Sequence, residues 1–372
     1  MENWKFETRN WKIETIVESQ FLFSNFPVSS FKFLIAVDNV THTLTAVALS
    51  QAGLNRKTRF ATLALVVGSN LPDVDLAWAY WGTATYLKYH RGITHSFFGV
   101  TVLAALLGCL IYFAGRRAAP KKNAPPLDAR WLFFLCWIGT ASHLLMDFTN
   151  HYGVRPFLPF SGRWYAWDIM FILDPLLLAL LALGLGVPAI LRLASEEVGG
   201  QRPTYRWGAI FSLVCLVLLW GVRDLAHRRV LGFLDSHTYG EENPVRLGAF
   251  PSPANPFSWT GVVETESAYY MLPANALDSD VDTTNTEVFH RPQLSPVLDA
   301  ALKSRTGAIF AGFARFLWAE VYENEDGSEV LLRDLRFFSP SSPNRGFVAR
   351  IELDKDLRAR SESFSFTGNS SR

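Results

Sequence analysis

Cysteine is scarce in this chain, and its few copies are not arranged to hold a metal ion or a disulfide framework. The 372 residues include three cysteines, which lie far apart within apolar segments: Cys109, Cys136 and Cys215. Thiolate zinc sites and disulfide-stapled scaffolds both use closely spaced cysteines. We therefore expect the three thiols to act as small hydrophobic core residues.

A large net charge and a secretory leader are also lacking. The chain has 35 basic and 34 acidic residues, a net charge of +1, and we expect no nucleic-acid partner. Residues 1–36 carry scattered charges between very short apolar runs, which is unlike a signal peptide. The motif-bearing sequence begins at Val37, and a valine can be the translation of a GTG start codon. We therefore interpret residues 1–36 as a non-native or disordered extension.

Long apolar segments, in contrast, are abundant between residues 96 and 222. Residues 96–115 and 207–222 contain no charged side chain, and residues 169–191 contain only Asp174. A run of about 18 or more apolar residues is long enough to cross a bilayer. The sequence predicts spans at 96–115, 131–148 and 169–191, and a shorter fourth at 207–222 that Arg223 extends by snorkelling.

The basic residues of the loops predict how these spans are oriented. The loop between the first two spans is rich in positive charge, which marks it as cytoplasmic: Arg116, Arg117, Lys121, Lys122 and Arg130. Shorter apolar segments at 43–54 and 60–67 predict a helical hairpin that dips into the membrane, with its basic tip on the same side. Counting spans outward places everything after Val222 outside the cytoplasm.

After about residue 230 the sequence becomes polar and rich in turn residues, which predicts a second domain. Strand-like runs occur at 259–265, 330–338 and 346–353, a hairpin turn at 323–328, and a helix at 294–304. The predicted fold class is therefore mostly α. A polytopic helical membrane domain at 37–229 precedes an extramembrane α+β, mostly β, domain at 230–372.

Two ionisable residues stand inside the apolar segment 131–148. His143 and Asp147 are four residues apart, so a helix places them on one face. An ionisable group at membrane depth is costly enough to indicate a function. Taken alone, a pair with this spacing is equally consistent with a buried hydrogen bond between the two side chains.

Two further segments upstream supply similar side chains. Asp73 and Asp75 follow Pro72, and His90 and His95 flank a glycine that lets both rings face one cavity. An Asp-x-Asp pair alone is usually a loop cap. Imidazole together with carboxylate binds zinc, manganese or iron. The three clusters together therefore predict a divalent transition-metal site, with zinc the first expectation.

The combined motifs carry a family resemblance over about residues 37–230. They are Asp38-x-x-Thr41-His42, Asn70-Leu71-Pro72-Asp73-x-Asp75, His90-Arg91-Gly92-x-Thr94-His95-Ser96 and His143-x-x-x-Asp147. The set resembles a bacterial family of membrane-bound, predicted metal-dependent hydrolases that includes a LexA-regulated inner-membrane protein. More distantly it is similar to the zinc-dependent phospholipases C, although a second helical His-x-x-x-Glu motif and an N-terminal Trp ligand are missing.

The resemblance implies roles for individual residues. It implies metal ligands at His42, Asp75, His95, His143 and Asp147, and catalytic roles for Asp73 and His90. Arg91 and Arg155 are expected to hold a negatively charged substrate by bidentate contact. A contact of either arginine with lipid head groups at the interface is an equally good interpretation.

The resemblance also implies an activity and a location. The expected protein is a hydrolase at the interface of a bacterial inner membrane, with a periplasmic C-terminal domain, membrane lipids as partners and a small-molecule or lipid-type substrate. Two non-enzymatic alternatives use the same residues: a structural metal site, or a transporter with an intramembrane His/Asp relay.

Three residues near the last two spans are interpreted separately. Asp174 is expected to pair with a metal ligand or with Arg163, because an unpaired carboxylate is costly in an apolar span. Asp168 is expected to cap the following helix, with a role as a metal ligand as the alternative. His151, which directly follows Asn150, is a further candidate for the site.

Overall fold

The computed structural model describes residues 29–120, 122, 124–197, 206–338 and 346–365. Residues 1–28 of the predicted extension, and Lys121 of the basic loop, lie outside these residues. The described residues form nine α-helices: α1 (Ser29–Gln51), α2 (Ala61–Gly68), α3 (Thr83–Tyr89), α4 (Phe97–Arg117), α5 (Ala129–Thr149), α6 (Pro175–Glu197), α7 (Arg206–Asp235), α8 (Pro296–Lys303) and α9 (Arg305–Phe313).

Eight strands follow α7 and form two antiparallel sheets. The first sheet has the order β1-β2-β3-β4, and the second has the order β5-β6-β7-β8. The strands are β1 (Arg246–Pro251), β2 (Ser258–Glu264), β3 (Ala268–Asn275), β4 (Glu287–His290), β5 (Leu317–Asn324), β6 (Gly327–Asp334), β7 (Val348–Asp354) and β8 (Ala359–Ser365). The fold class is thus the predicted one, a largely helical N-terminal part followed by an α+β domain.

Four of the described helices, α4 to α7, are long and apolar enough to cross a membrane. Helices α4 and α5 agree with the predicted spans within about two residues at each end. Helix α6 begins at Pro175, later than predicted, because the Asp174 carboxylate caps it. Its Oδ1 accepts hydrogen bonds from the backbone N–H groups of Leu176 (2.9 Å) and Leu177 (3.1 Å).

The prediction that Arg223 snorkels to the membrane surface is wrong. Its side chain is fully buried and forms an ion pair with Asp174 across the α6–α7 contact. The predicted pairing of Asp174 with Arg163 or a metal ligand is wrong for the same reason. A buried charge needs an opposite charge beside it, and the sequence does not indicate which faces of α6 and α7 meet.

Helix α7 continues well beyond the predicted span. Its 30 residues make a helix of about 45 Å, longer than the roughly 30 Å of a bilayer's hydrocarbon core. The C-terminal end of α7 packs on the first sheet, where Val230 and Leu234 join Trp259, Val263 and Leu272 in one core. The last span therefore carries the chain directly into the second domain.

The basic loops gather at one end of the helices. Helix α1 is continuous from Ser29, and the tip between α1 and α2 lies against the loop that follows α4. There Arg59 Nη1 donates to the Ala118 carbonyl (3.1 Å) and Thr58 Oγ1 to the Asp128 carbonyl (3.2 Å). Arg206 at the start of α7 donates to the Ala52 carbonyl at the same end.

The second sheet, with α8 and α9, packs on the other end of the helices. Leu87 of α3 and Tyr152 share its core with Phe310, Val330 and Ile351. The predicted strands at 259–265 and 346–353, the hairpin and the helix at 294–304 are all present. The strand predicted at 330–338 is shorter than expected, since β6 ends at Asp334 and residues Leu335–Phe337 form a 3₁₀ turn.

Asp168 does not cap α6 as predicted. Its two carboxylate oxygens accept hydrogen bonds from Arg315 Nη1 (2.8 Å) and Nη2 (2.7 Å). This bidentate contact joins the loop before α6 to the chain between α9 and β5. An aspartate at this position can either cap a helix or form an ion pair. The sequence did not indicate the ion pair, because its partner, Arg315, is far along the chain.

Candidate metal centre

The close approach of α2 and α5 fixes the ring of His143. Gly139 allows this approach, since a Cβ atom there would lie 2.8 Å from the Leu65 carbonyl oxygen. As a result, the Ser69 carbonyl reaches His143 Nδ1 at 2.7 Å. A carbonyl can only accept, so Nδ1 carries the proton and the lone pair of Nε2 points into the space between the helices.

A 3₁₀ helix over Leu71–Trp81 supplies Asp75, which organises the loop that follows α3. Its Oδ2 accepts hydrogen bonds from the Arg91 backbone N–H (3.0 Å) and from Thr94 Oγ1 (2.7 Å). Its oxygens also face the Nδ1 atoms of His90 (2.9 Å) and His95 (3.1 Å). Arg91 has a left-handed backbone, φ 51°, a conformation uncommon for a residue with a side chain and frequent at functional sites.

Two imidazole nitrogens and two carboxylate oxygens come together from three separate segments. His95 Nε2 lies 3.0 Å from His143 Nε2, and both nitrogens lie 3.3–3.5 Å from carboxylate oxygens of Asp73 and Asp147. Tetrahedral zinc with bonds of about 2.0–2.2 Å separates its ligand atoms by roughly 3.3 Å. Two imidazole nitrogens 3.0 Å apart need a proton or a metal ion between them, because two lone pairs at that distance repel each other. These residues therefore fit a divalent metal ion.

His42 and Arg91 complete the surroundings of Asp147. The His42 ring stacks on His143 with centroids 3.9 Å apart, and its Nε2 lies 3.5 Å from Asp147 Oδ1. Arg91 Nη2 lies 2.9 Å from the same oxygen, and its Nη1 donates to Asn150 Oδ1 at 2.9 Å. His42, His143 and Asp147 thus form a second group that could hold an ion next to the first.

The charges of this cluster also favour a divalent cation. With neutral imidazoles, the carboxylates of Asp73, Asp75 and Asp147 and the single guanidinium of Arg91 leave two negative charges. Burial by itself lowers the pKa of His95, but the carboxylates beside it raise this pKa well above its usual value. Burial by itself raises the pKa of Asp75, and its histidine neighbours hold it well below the usual range. The same field that attracts protons to His95 attracts a metal ion.

Most of the predicted site residues therefore come together in one cluster, and Arg155 lies at the edge of this cluster. Arg155 lies behind the His90 loop, where its Nη2 donates to the carbonyls of Lys88 (2.7 Å) and His90 (3.3 Å). His151 is buried against Phe171, Phe250 and Phe337 outside the cluster. Burial lowers the His151 pKa to about 4, so this ring is neutral and packs as a core residue.

Sequence reasoning missed three groups that hold the cluster in place. The Ser69 carbonyl orients His143, and Asn150 Oδ1 accepts a hydrogen bond from Arg91. The centre of the Tyr152 ring lies 4.8 Å from the Arg91 guanidinium. Asn150 also accepts the Tyr152 N–H (3.0 Å). An Asn directly after the His-x-x-x-Asp helix was the one available signal, because asparagine commonly closes a turn through its own side chain.

The chain belongs to the YdjM inner membrane protein family, whose model matches residues 37–230. This match includes every residue of the cluster, three of the candidate spans and most of the fourth. The YfhP C-terminal alpha/beta plait domain matches residues 296–370, which hold α8, α9 and the second sheet. The resemblance to a membrane-protein family is thereby confirmed, while LexA regulation and a relationship to phospholipases C are not.

A relative similar over nearly the whole chain is the uncharacterized protein YfhP of Bacillus subtilis strain 168. The two sequences are 26% identical over 329 residues, covering 88% of this chain and 90% of the relative. The helical part and the C-terminal domain therefore occur together in that protein as well. No solved structure matches.

Proposed function

We propose that the protein is a membrane-embedded, metal-dependent hydrolase that acts on phosphoester or lipid-type substrates at the membrane interface. The observation that carries this proposal is the contact of two imidazole nitrogens, 3.0 Å apart, each of which lies 3.3–3.5 Å from one oxygen of Asp73 and one of Asp147. They meet at the end of α5, one of the helices long enough to span a membrane. A membrane-bound substrate would reach a site at this level.

The donor set suits zinc first and manganese or iron next, because these ions accept imidazole and carboxylate together. His95, His143, Asp73 and Asp147 would hold the ion, with His42 beside them. Such a site would supply Lewis-acid chemistry and a water whose pKa is lowered toward neutrality. The distant likeness to zinc-dependent phospholipases C makes phosphodiesters the first substrates to test.

The side chains of the cluster differ in exposure, and we assign their remaining roles on that basis. His95, His143 and Asp147 are almost completely buried, whereas Asp73 and His90 form the more accessible edge of the cluster. Asp75 fixes Nδ1 of His90, so the other ring nitrogen of His90 is available to hold or release a proton. Arg91 already forms an ion pair with Asp147 and a hydrogen bond with Asn150. Its main contribution would be to balance charge, with any substrate contact secondary.

The first prediction concerns catalysis by the detergent-solubilised full chain. We expect it to hydrolyse members of a phosphodiester and phospholipid panel, with chelation abolishing turnover and added zinc or manganese restoring it. Asp73→Asn should lower kcat by about 10²-fold or more, because an amide of the same shape replaces the carboxylate that faces both imidazole nitrogens. Product release measured against substrate concentration checks this result.

The matched control for this experiment is Asp299→Asn. Asp299 forms an exposed ion pair with Lys303 on α8, far from the cluster in sequence, and its loss should leave turnover unchanged. A metal-loaded chain that cleaves no phosphoester, carboxyl ester or amide would contradict the proposal. The near-complete burial of the ligands would then favour a structural metal site, and slow exchange of the bound ion would support that alternative.

We further propose that the chain crosses the membrane several times with the cluster and the C-terminal domain on the periplasmic side. Arg59, Arg116 and Arg206 support this orientation, because they lie at the opposite end of the helices from the cluster. Basic loops face the cytoplasm in most inner-membrane proteins. Asp168 and Arg315 tie the C-terminal domain to the cluster end.

The second prediction tests this orientation with reporter fusions at the C-terminus. A reporter enzyme that is active only in the periplasm should be active when fused there. A reporter that works only in the cytoplasm should be inactive at the same position. The reverse pattern would place the cluster on the cytoplasmic side and exclude periplasmic substrates.

A further inference from the structure

An apolar groove lies on the outer surface of α4 and α5, next to the metal cluster. Its volume is about 470 Å³, within the roughly 300–1,000 Å³ usual for small-molecule sites. On α5 it is lined by a stripe at helical spacing: Trp137, Ala141, Leu144, Leu145 and Phe148. His143 and Asp147 are the chain neighbours of two of these residues, so the groove and the cluster occupy adjacent faces of the same two helical turns.

A short hairpin closes the end of the groove nearest the cluster. Val154 and Tyr165 exchange two backbone hydrogen bonds of 2.9 Å, and both line the groove. Phe97, the first residue of α4, donates its backbone N–H to the Pro156 carbonyl (2.9 Å) and packs against Phe157. The groove therefore has a wall made by the loop at the predicted level of the membrane surface.

At the rim of the groove, a positively charged side chain lies against an aromatic ring. The exposed guanidinium of Arg163 lies 5.5 Å from the ring centre of Tyr165, which lines the groove. No carboxylate among the described residues pairs with Arg163. At the tip of the same loop, Phe160 is 90% exposed. A loop that combines an exposed aromatic residue with an exposed arginine is typical of a segment that lies among lipid head groups.

We propose that the groove holds one acyl chain of an anionic phospholipid whose head group contacts Arg163. The apolar stripe lies on helices that would face hydrocarbon, so an alkyl chain is the ligand that suits it, and the cation at the rim selects a negative head group. The groove would present this lipid beside the metal cluster. In naming a phospholipid as the substrate, this inference rests on the proposed hydrolase function.

The experiment measures binding of pyrene-labelled phosphatidylglycerol and phosphatidylcholine to the full chain in detergent. Ala141→Trp fills the groove and should weaken phosphatidylglycerol binding about tenfold or more, because the alkyl chain loses its apolar contacts. Ala105→Trp adds the same ring to an exposed position of α4 outside the groove lining and should have no such effect. Circular dichroism verifies that both variants are folded.

Arg163→Gln tests the selection of the head group. It should remove most of the preference for phosphatidylglycerol over phosphatidylcholine. Arg116→Gln is the matched control, since Arg116 stacks on Tyr112 in the same way at the other end of α4. Equal binding of both lipids by the unmodified chain, or equal effects of the two tryptophan variants, would mean that the groove takes bulk lipid without selection and would overturn the proposal.

Two further measurements separate this inference from the proposed hydrolase. Lipid binding should persist after chelation, because no metal ligand lines the groove. If the chain hydrolyses a short, soluble phosphodiester, Ala141→Trp should leave that activity unchanged while it lowers turnover of the long-chain lipid. Selective binding without any hydrolysis would support the lipid groove and contradict the proposed hydrolase function. Hydrolysis without selective binding would support the hydrolase function and contradict the lipid groove.

Discussion

Replacing both His143 and Asp147 with alanine is expected to remove metal binding completely. His143 takes part in two of the three groups of possible ligands, and Asp147 contacts His42, His95 and Arg91. Removing two of the converging donors leaves too few for tight binding of zinc or a similar ion. Elemental analysis of purified protein should give close to one or two ions for the unmodified chain and none for the double variant.

A matched control for this variant exists in the C-terminal domain. His237 and Asp280 also face each other, at 3.3 Å, but at the protein surface. Replacing both with alanine should leave the metal content unchanged. An unmodified chain that contains no transition metal when purified without chelator would refute the metal centre. So would a His143→Ala, Asp147→Ala chain that keeps its full complement.

The site was predictable because each of its clusters is local in sequence. His143 and Asp147 depend only on helical spacing, and Asp73 and Asp75 depend only on one short turn after Pro72. An ionisable side chain within an apolar span also indicates its own importance, because its cost must be offset by a partner. The convergence of the three segments then follows once the loops are assigned to the two ends of the helices.

The residues that position these ligands were not predictable in the same way. The Ser69 carbonyl reaches His143 only because Gly68 and Gly139 let two helices approach closely. The pairing of Asp174 with Arg223 likewise depends on how α6 and α7 are rotated against each other. Backbone groups carry no residue-specific signal, and helix rotation depends on packing across the whole bundle.

The long-range contacts of the C-terminal domain were missed for a related reason. Strand and helix patterns indicated the domain, but nothing in them indicated that it packs directly behind the site. Arg336 makes this contact: its Nη1 donates to the His151 carbonyl (2.8 Å) and its Nη2 to the Phe313 carbonyl (2.9 Å). The turn that contains His151 begins with Asn150, whose Oδ1 accepts a hydrogen bond from Arg91. The domain therefore supports the wall of the metal centre.

Replacing Arg336 with alanine is expected to destabilise the protein strongly. Arg336 forms an ion pair of 2.6 Å with Asp334, and both side chains are almost completely buried. Removing one partner of a buried pair leaves the other charge uncompensated, which costs about 3–5 kcal/mol in the free energy of unfolding. The carbonyls of His151 and Phe313 would lose their donor as well. A lower midpoint of thermal unfolding for the detergent-solubilised chain would show this loss.

Arg350→Ala provides the comparison, because Arg350 pairs with Glu329 on the same sheet in a partly exposed position. A partly exposed pair of this kind contributes about 0–1 kcal/mol, so the midpoint should change little. Because Arg336 supports the Asn150 turn, its loss should also weaken metal binding about 10–100-fold, the range seen when groups that orient ligands are removed. Equal midpoints for the two variants would show that the Asp334–Arg336 pair does not hold the domain against the site. Metal affinity that falls only with Arg336→Ala would instead demonstrate that the C-terminal domain maintains the geometry of the centre.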